Sequence, residues 1–345
     1  MKHLAVAFPT IQDVARAAQV STATVSRALS FPERVTDATR LRVLDAIELT
    51  GYAVNQTARN LRRKTTGAVV VLVPNIGNPF FSRILAGIES SAAQAGYTVL
   101  ICDTRQPRAG ADMLLEYVRN NRADGLIILD GSLPSRLFEQ GPRGGRQPPI
   151  VFACEWREGS DLPSVRFDNV AGAELAVEHL AALGHRRIGH VLGPAGNVLT
   201  GARAEGFATA MRRLGLELRD DWILAGDFSL EAGTLAAGQW LGLAERPSAM
   251  FLANDEMACG FIAELNRQGV STPRDVSVVG FDDIDIAEHF IPALTTIRQP
   301  RSEIGYAAFA ELLGCIQGSD SARPGGVRLL PAELIVRESS RAPAD

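Results

Sequence analysis

From Ala68 onward, short apolar runs alternate with amphipathic segments, and this alternation decides what the chain can become. GAVVVLVPN precedes NPFFSRILAGIESSAAQAG, YTVLICDT precedes ADMLLEYVRNNRA, and DGLIILDG and PPIVFACEW close the first series. Apolar runs without polar alternation are strands buried on both faces, which a parallel sheet covered by helices provides. The pattern restarts at Asn169: VAGAELAVEHLAALG (helix), RRIGHVLGP (strand), GARAEGFATAMRRLG (helix), SAMFLAND (strand), MACGFIAELNRQG (helix), VSVVGFDDI (strand). Two such series predict a two-lobed α/β body. Ligands of such sheets bind outside the carboxyl ends of the strands.

The first 66 residues follow other rules. They hold ten Lys/Arg against five Asp/Glu, whereas the remainder holds 25 against 34. A basic head on an acidic body points to a polyanion partner for the head alone. Thr10 is placed to cap a first helix, TIQDVARAA, with Asp13 three residues on to complete a capping box. That helix turns Ile11, Val14, Ala15 and Ala18 to one face. Gln19 and Val20 make a tight turn. Ser21 caps a second helix, Thr22 to Leu29, whose Val25, Ala28 and Leu29 point back at the first. Thr36 caps a third helix that runs to about Thr50 and stops at Gly51. Two short helices, a tight turn and a supporting third helix describe a helix-turn-helix unit.

The second helix carries small and hydroxylated side chains: Ser21, Thr22, Ala23, Thr24, Ser26, then Arg27. A major groove about 12 Å wide admits a helix by its N-terminal residues. Small side chains let the backbone approach, hydroxyls bond bases or phosphates, and an arginine reaches guanine O6 and N7 with two donors. Downstream, NQTARNLRRKTTG gathers Arg59, Arg62, Arg63 and Lys64 around the lone apolar Leu61. It reads either as a polybasic tether or as a helix formed on DNA, with Leu61 pushed between base steps from the minor groove.

Other classes find no support. There is no Gly-rich dinucleotide fingerprint, P-loop or nucleophile elbow. GPAGNVLTG has glycines but neither the spacing nor the lysine. Cys102, Cys154, Cys259 and Cys315 lie far apart without a CxxC pair, and His3, His179, His185, His190 and His289 are scattered. No metal, no cofactor and no catalytic residue is expected, so the chain is read as a non-enzyme. No apolar run reaches the roughly 20 residues that span a bilayer. MKHLAVAFPTIQDVARAA lacks a convincing signal peptide, which places the protein in the cytoplasm, associated with the nucleoid.

TIQDVARAAQVSTATVSRALSFPERVTDATRLRVLDAIELTGYAVNQTARNLRRKTTG resembles, without gaps, the DNA-binding head and hinge of the lac-repressor family. In the body, VPNIGNPFFSRILAGIE, LGHRRIGHVLGP, ARAEGFATAM, ANDEMACG, VSVVGFDD and PALTTIRQP follow the same family's pattern in order. Within it, STATVSRAL, NPFFSRILAGIE, LPSVRFDN, GDFSLEAG and IRQPRSEIG are most similar to the cytidine (nucleoside) repressor subfamily. The resemblance implies a ligand-responsive transcriptional repressor that binds a palindromic double-stranded DNA operator as a homodimer. It implies that Thr22, Ala23 and Arg27 read the half-site, and that the hinge around Ala58 and Leu61 kinks a central step. Thr10, Ser21, Thr24, Ser26, Asn55 and Arg62 complete the expected DNA-binding set. It also implies that Arg203 and Asp282 hold hydroxyls of a small-molecule effector in the cleft between lobes.

Asn254 and Asp255 end a strand facing the same cleft, although Asp255 is also placed to cap the helix MACGF. Phe80, Phe81 and Phe228 stand where purine-binding members stack a base, with Phe80 equally able to pack inside its lobe. Cys154 departs from the acid or amide usual at its position, removing one polar contact. The expected effector is a nucleoside such as cytidine, with a sugar (ribose or hexose) or a purine corepressor as alternatives. LIVRESSRAPAD contains no leucine heptad, so a dimer rather than a tetramer is expected. The expected architecture is an all-α helix-turn-helix head (1–52), a hinge helix (53–67) and a periplasmic-binding-protein-like body (68–345). Its N-lobe is expected over about 68–167 plus 296–326, its C-lobe over about 168–295 plus 327–340.

Overall fold

The computed structural model describes residues 9–52, 65–105, 122–134, 149–318 and 326–343. The hinge candidates Asn55, Ala58, Leu61 and Arg62, and nearly all of the helix expected over ADMLLEYVRNNRA, lie outside the described residues. Two compact units divide the chain, Met1–Thr66 and Gly67–Asp345.

In the first unit, α1 (Ile11–Ala17), α2 (Thr22–Ser30) and α3 (Asp37–Thr50) follow the capping signals. The Asp13 carboxylate accepts from the Thr10 amide at 2.9 Å and the Thr10 hydroxyl at 2.7 Å. The Ser21 hydroxyl accepts from the Thr24 amide at 3.1 Å, and the Thr36 hydroxyl from the Thr39 amide at 3.4 Å. These bonds satisfy helix-end donors that have no partner within the helix. Gln19 takes φ +53° in the turn between α1 and α2. α3 stops at left-handed Gly51, φ +65°. Val14, Ala15, Ala18, Val25, Ala28, Val43 and Ala46 form the core. Several are alanines, so the three helices pack closely around little volume.

In the second unit, one sheet runs β11-β5-β4-β3-β1-β2 and the other β12-β10-β9-β8-β6-β7. The first contains β1 (Ala68–Val73), β2 (Thr98–Asp103), β3 (Gly125–Ile128), β4 (Ile150–Ala153), β5 (Ser164–Phe167) and β11 (Val327–Leu330). The second contains β6 (Ile188–Val191), β7 (Ile223–Leu224), β8 (Ala249–Leu252), β9 (Ser277–Asp282), β10 (Thr295–Arg298) and β12 (Glu333–Ile335). Every pairing is parallel except β10 with β12. The described helices are α4 (Phe80–Gln94), α5 (Asn169–Ala182), α6 (Val198–Arg213), α7 (Leu230–Gly242), α8 (Asp255–Arg267), the short α9 (Ile286–His289) and α10 (Arg301–Gln317).

Two lobe crossings fall later than the sequence implied. Thr296–Arg298 of β10 pair with β9 in the second lobe, and Val327–Leu330 of β11 pair with β5 in the first. Crossing occurs near Asp168, at Gln299–Pro300 and at Pro331–Ala332. The short SVRF strand, β5, carries no clear strand signal in the sequence, because half-buried Arg166 interrupts its apolar run.

Helices within each lobe meet backbone to backbone. A Cβ at Gly305 of α10 would lie 2.2 Å from Ile84 O of α4, and one at Gly87 of α4 would lie 2.4 Å from Ser302 O of α10. In the second lobe, Gly233 of α7 faces Met257 O and Gly260 of α8 faces Leu230 O, each at 2.1 Å from the position a Cβ would take. No side chain fits there without moving a helix. Gly260→Ala is therefore expected to destabilise the body by about 2 kcal/mol, overpacking outweighing the roughly 1 kcal/mol of helix propensity gained. A urea titration checks this: the midpoint should fall at unchanged slope, and an equal or higher midpoint would refute the close contact.

Candidate functional site

Strand ends from both lobes converge on a cavity of about 690 Å³. From the first lobe come Asn75 after β1, Thr104 and Arg105 after β2, Asp130 and Ser132 after β3, and Glu155 after β4. Phe80 and Phe81 open α4 at its wall. From the second lobe come Asn197 after β6, Asp227 and Phe228 after β7, Asn254 after β8, and Asp282 at the end of β9, with Arg203 reaching in from α6.

Arg203 is the electrostatic centre. It is only 2% exposed. Its Nε donates to Asn169 Oδ1 at 2.9 Å and its Nη1 to the Ala253 carbonyl. Nη2 lies 3.6 Å from Asp282 Oδ1. The guanidinium covers the Phe281 ring at 3.9 Å and approaches the Phe228 ring at 5.6 Å. Asp282 also accepts from Gln299 Nε2 at 2.7 Å. Burial lifts the Asp282 carboxyl from 3.8 to about 6, against the downward pull of Arg203 and Gln299. It holds φ +114°, and the next residue, Asp283, holds φ +52°. The corner thus turns one carboxylate into the cavity and the other toward Arg298 and Arg337, at 2.7 and 2.8 Å.

A second polar group joins the lobes. Glu155 Oε1 accepts from Asn197 Nδ2 at 2.9 Å, and Oε2 from the Gly131 amide at 2.8 Å. Burial raises the Glu155 carboxyl, while these two bonds draw it down. Thr104 and Ser132 both donate hydroxyl protons to Asp130. No sequence motif assigns a role to these residues. Asn197 lies within GPAGNVLTG, whose glycines match no nucleotide-loop spacing.

Of the effector residues expected from the sequence, Phe80, Phe81, Arg203, Phe228, Asn254 and Asp282 line the cavity. The two adjacent phenylalanines pack edge to face at 5.1 Å and are each 6% exposed. Asn254 caps α8 by accepting from the Met257 amide at 3.0 Å, and its Nδ2 donates to the Phe228 carbonyl at 2.9 Å. This bond braces Phe228, which sits at φ +69°.

Two expected residues do not reach the cavity. Asp255 is fully buried behind it, accepting from the Ile284 amide at 2.9 Å and the Thr296 hydroxyl at 2.6 Å. Both carboxylate oxygens are committed to joining α8 to β10 and the turn after β9, and the capping position belongs to Asn254. Cys154 is 1% exposed, at φ +67°, in the hydrophobic core. Burial pushes its thiol well above the usual range. His190 is likewise a core residue, stacked between Phe207 at 4.9 Å and Phe251 at 4.6 Å, and held neutral by burial, which lowers it to about 4.

On the head, Thr22, Ala23 and Arg27 are exposed on α2, with Thr24 and Ser26 half-buried. Ser21 is committed to its cap and bonds Thr24 Oγ1 at 2.9 Å. Thr10 is committed to Asp13.

A helix-turn-helix unit in one chain with a two-lobed α/β unit, the latter enclosing a polar and aromatic cavity, defines a ligand-binding transcriptional regulator. Residues 10–55 match the family described as bacterial regulatory proteins, lacI family, and residues 177–340 match the periplasmic binding protein-like domain. The chain is 41% identical over 334 residues to the HTH-type transcriptional repressor CytR of Escherichia coli strain K12, covering 96% of each. It is 34% identical over 331 residues to the HTH-type transcriptional repressor PurR of Photobacterium profundum, covering 96% of this chain and 98% of that one. The crystal structure of the lac repressor dimer bound to operator and the anti-inducer ONPF matches with TM-score 0.82 and 30% identity, covering 97% of this chain and 99% of that one. The chain belongs to the lacI family of bacterial regulatory proteins and is a transcriptional repressor with a ligand-binding domain. No helix among the described residues is long and apolar enough to cross a membrane.

Replacing Arg203 with Met leaves a buried carboxylate without its partner, an expected cost of about 3–5 kcal/mol at pH 7.5. The Asp282 carboxyl titrates higher in the fold than in the unfolded chain, so the cost of ionising it is absent below about pH 4 and grows as pH rises. Urea titrations of Arg203→Met should show a smaller loss at pH 5 than at pH 7.5, with part of the loss recovered by adding Asp282→Asn. Equal losses at both pH values would contradict the pairing.

Proposed function

We propose that the effector is a nucleoside such as cytidine. Its base stacks on Phe81 and Phe228, and its ribose hydroxyls meet Asp282 and Arg203. The observation that carries this reading is the presence, on one cavity, of aromatic rings from both lobes beside a buried carboxylate–guanidinium pair. A carboxylate accepts two hydroxyl donors from a ring, an arginine supplies donors in return, and aromatic faces take a flat base. The 41% identity to the repressor CytR supports the same choice over the 34% identity to PurR. A sugar effector is the second reading. It is favoured by a lacI-family regulator from Enterococcus faecium with bound ribose, 29% identical with TM-score 0.70, covering 80% of this chain and 99% of that one.

On this reading the protein performs no catalysis. It works in the cytoplasm as a dimer on a palindromic operator, since one recognition helix reads too little sequence alone. Thr22, Ala23 and Arg27 read bases, while Ser21, Thr24 and Thr10 shape the helix ends that present them.

Thermal unfolding against cytidine, other nucleosides, free bases, ribose and hexoses tests the effector. A ligand at about 100 times its Kd stabilises by about 2.7 kcal/mol. A rise with cytidine but not ribose is expected, and it should vanish in Asp282→Ala. A rise with sugars alone would discard the nucleoside. For the head, Arg27→Ala should weaken operator binding by about 1–3 kcal/mol while leaving affinity for random DNA nearly unchanged. Fluorescence anisotropy with both DNAs measures it, and equal losses on the two would remove Arg27 from base reading.

A further inference from the structure

Arg301 is the first residue of α10, directly after the Gln299–Pro300 crossing, and its side chain is 2% exposed. It does not line the cavity. Its Nη2 donates to the Asp283 carbonyl at 2.9 Å and to Asp285 Oδ1 at 3.0 Å, both in the second lobe. Its Nη1 lies 3.4 Å from the carbonyls of Pro79 and Phe80, in the first lobe. One rigid planar cation therefore holds the peptide after the cavity carboxylate Asp282 and the turn that presents the cavity rings Phe80 and Phe81. Arg83 of α4 adds a second link to Asp285 at 2.9 Å, but this pair is exposed on both sides and is correspondingly weak. The Arg301 guanidinium is itself buried, although its Asp285 partner is exposed, so the backbone carbonyls of Asp283, Pro79 and Phe80 are its better-shielded acceptors.

We propose that Arg301 is the positioning residue that couples the state of Asp282 to the first turn of α4. A change at Asp282 shifts the left-handed Asp282–Asp283 corner, the Asp283 carbonyl moves with it, and Arg301 carries the movement to Pro79 and Phe80. The proposal deepens the effector reading and rests on Asp282 as the group the effector meets.

Hydrogen–deuterium exchange on the full chain tests this with and without a ligand. Without one, Asp282→Asn is expected to speed exchange of the amides of residues 80–84 at least about threefold in the wild-type background. The same substitution should have no effect there in Arg301→Met. In Arg301→Lys, whose ammonium keeps the charge but cannot span both lobes, the effect should also be lost, and this variant serves if the Met variant fails to fold. With 1 mM cytidine added, protection of residues 80–84 should rise in wild type and in Arg301→Lys alike, because the base meets Phe81 directly, so the ligand-free comparison carries the test. Undiminished transmission from Asp282→Asn to residues 80–84 in both Arg301 variants would overturn the proposal. Absence of any cytidine binding in wild type would overturn the nucleoside reading alone, because the ligand-free comparison still decides the role of Arg301.

Discussion

A guanidinium buried to 2% exposure is the constraint that the rest of the cavity answers to. Arg203 cannot shed its charge as a lysine or carboxylate can, so its surroundings must supply both countercharge and acceptors. Asp282 supplies the charge. The Ala253 carbonyl, at the end of β8, and Asn169, at the start of α5, supply the acceptors. Phe281 supplies a flat face. Each of these groups stands at the end of a strand or the start of a helix in the second lobe. The parallel order of that sheet is what brings them together. The cavity is thus a by-product of sheet topology, and the polar groups on its second-lobe floor are arranged around one cation.

The first lobe answers with groups that are already bonded. Asp130 is occupied by Thr104 and Ser132, and Glu155 by Gly131 and Asn197. Only Glu155 reaches across to the other lobe through Asn197, at the mouth of α6. Arg301 and Arg83 reach across to the loop after β9. The lobes are therefore tied at these points by directional polar contacts, and elsewhere by apolar packing such as Phe167 of β5 against Phe281 of β9, ring centroids 5.7 Å apart. The polar contacts can be exchanged for others at small net free energy.

Much of this was legible in the sequence. Uninterrupted runs such as VVVLV and MFLA have one structural use, a doubly covered parallel strand. Thr10, Ser21, Thr36 and Gly51 marked helix ends by local chemistry that no tertiary contact overrides. Arg203 and Asp282 were implied by the resemblance, and Asp282 also stands at a strand end. What escaped depended on direction. Neighbouring residues at a strand end point opposite ways, so Asn254 meets the cavity while Asp255 turns into the fold. In the same way Glu155 meets the cavity while Cys154 joins the core. A pattern of residue types does not say which neighbour faces which way. Partners distant in sequence escaped as well: nothing local in GPAGNVLTG announces that Asn197 will meet Glu155, 42 residues earlier.

The glycine contacts between helices have a mechanical consequence. Where two helices touch through side chains, a displacement can be absorbed by rotamer changes at little cost. Where backbone meets backbone, as at Gly87 and Gly305 or at Gly233 and Gly260, no such compliance exists. A push delivered at a strand end is not dissipated inside the lobe that receives it. The lobe is therefore expected to respond as one body, leaving the three places where the chain passes from one lobe to the other as the segments able to bend.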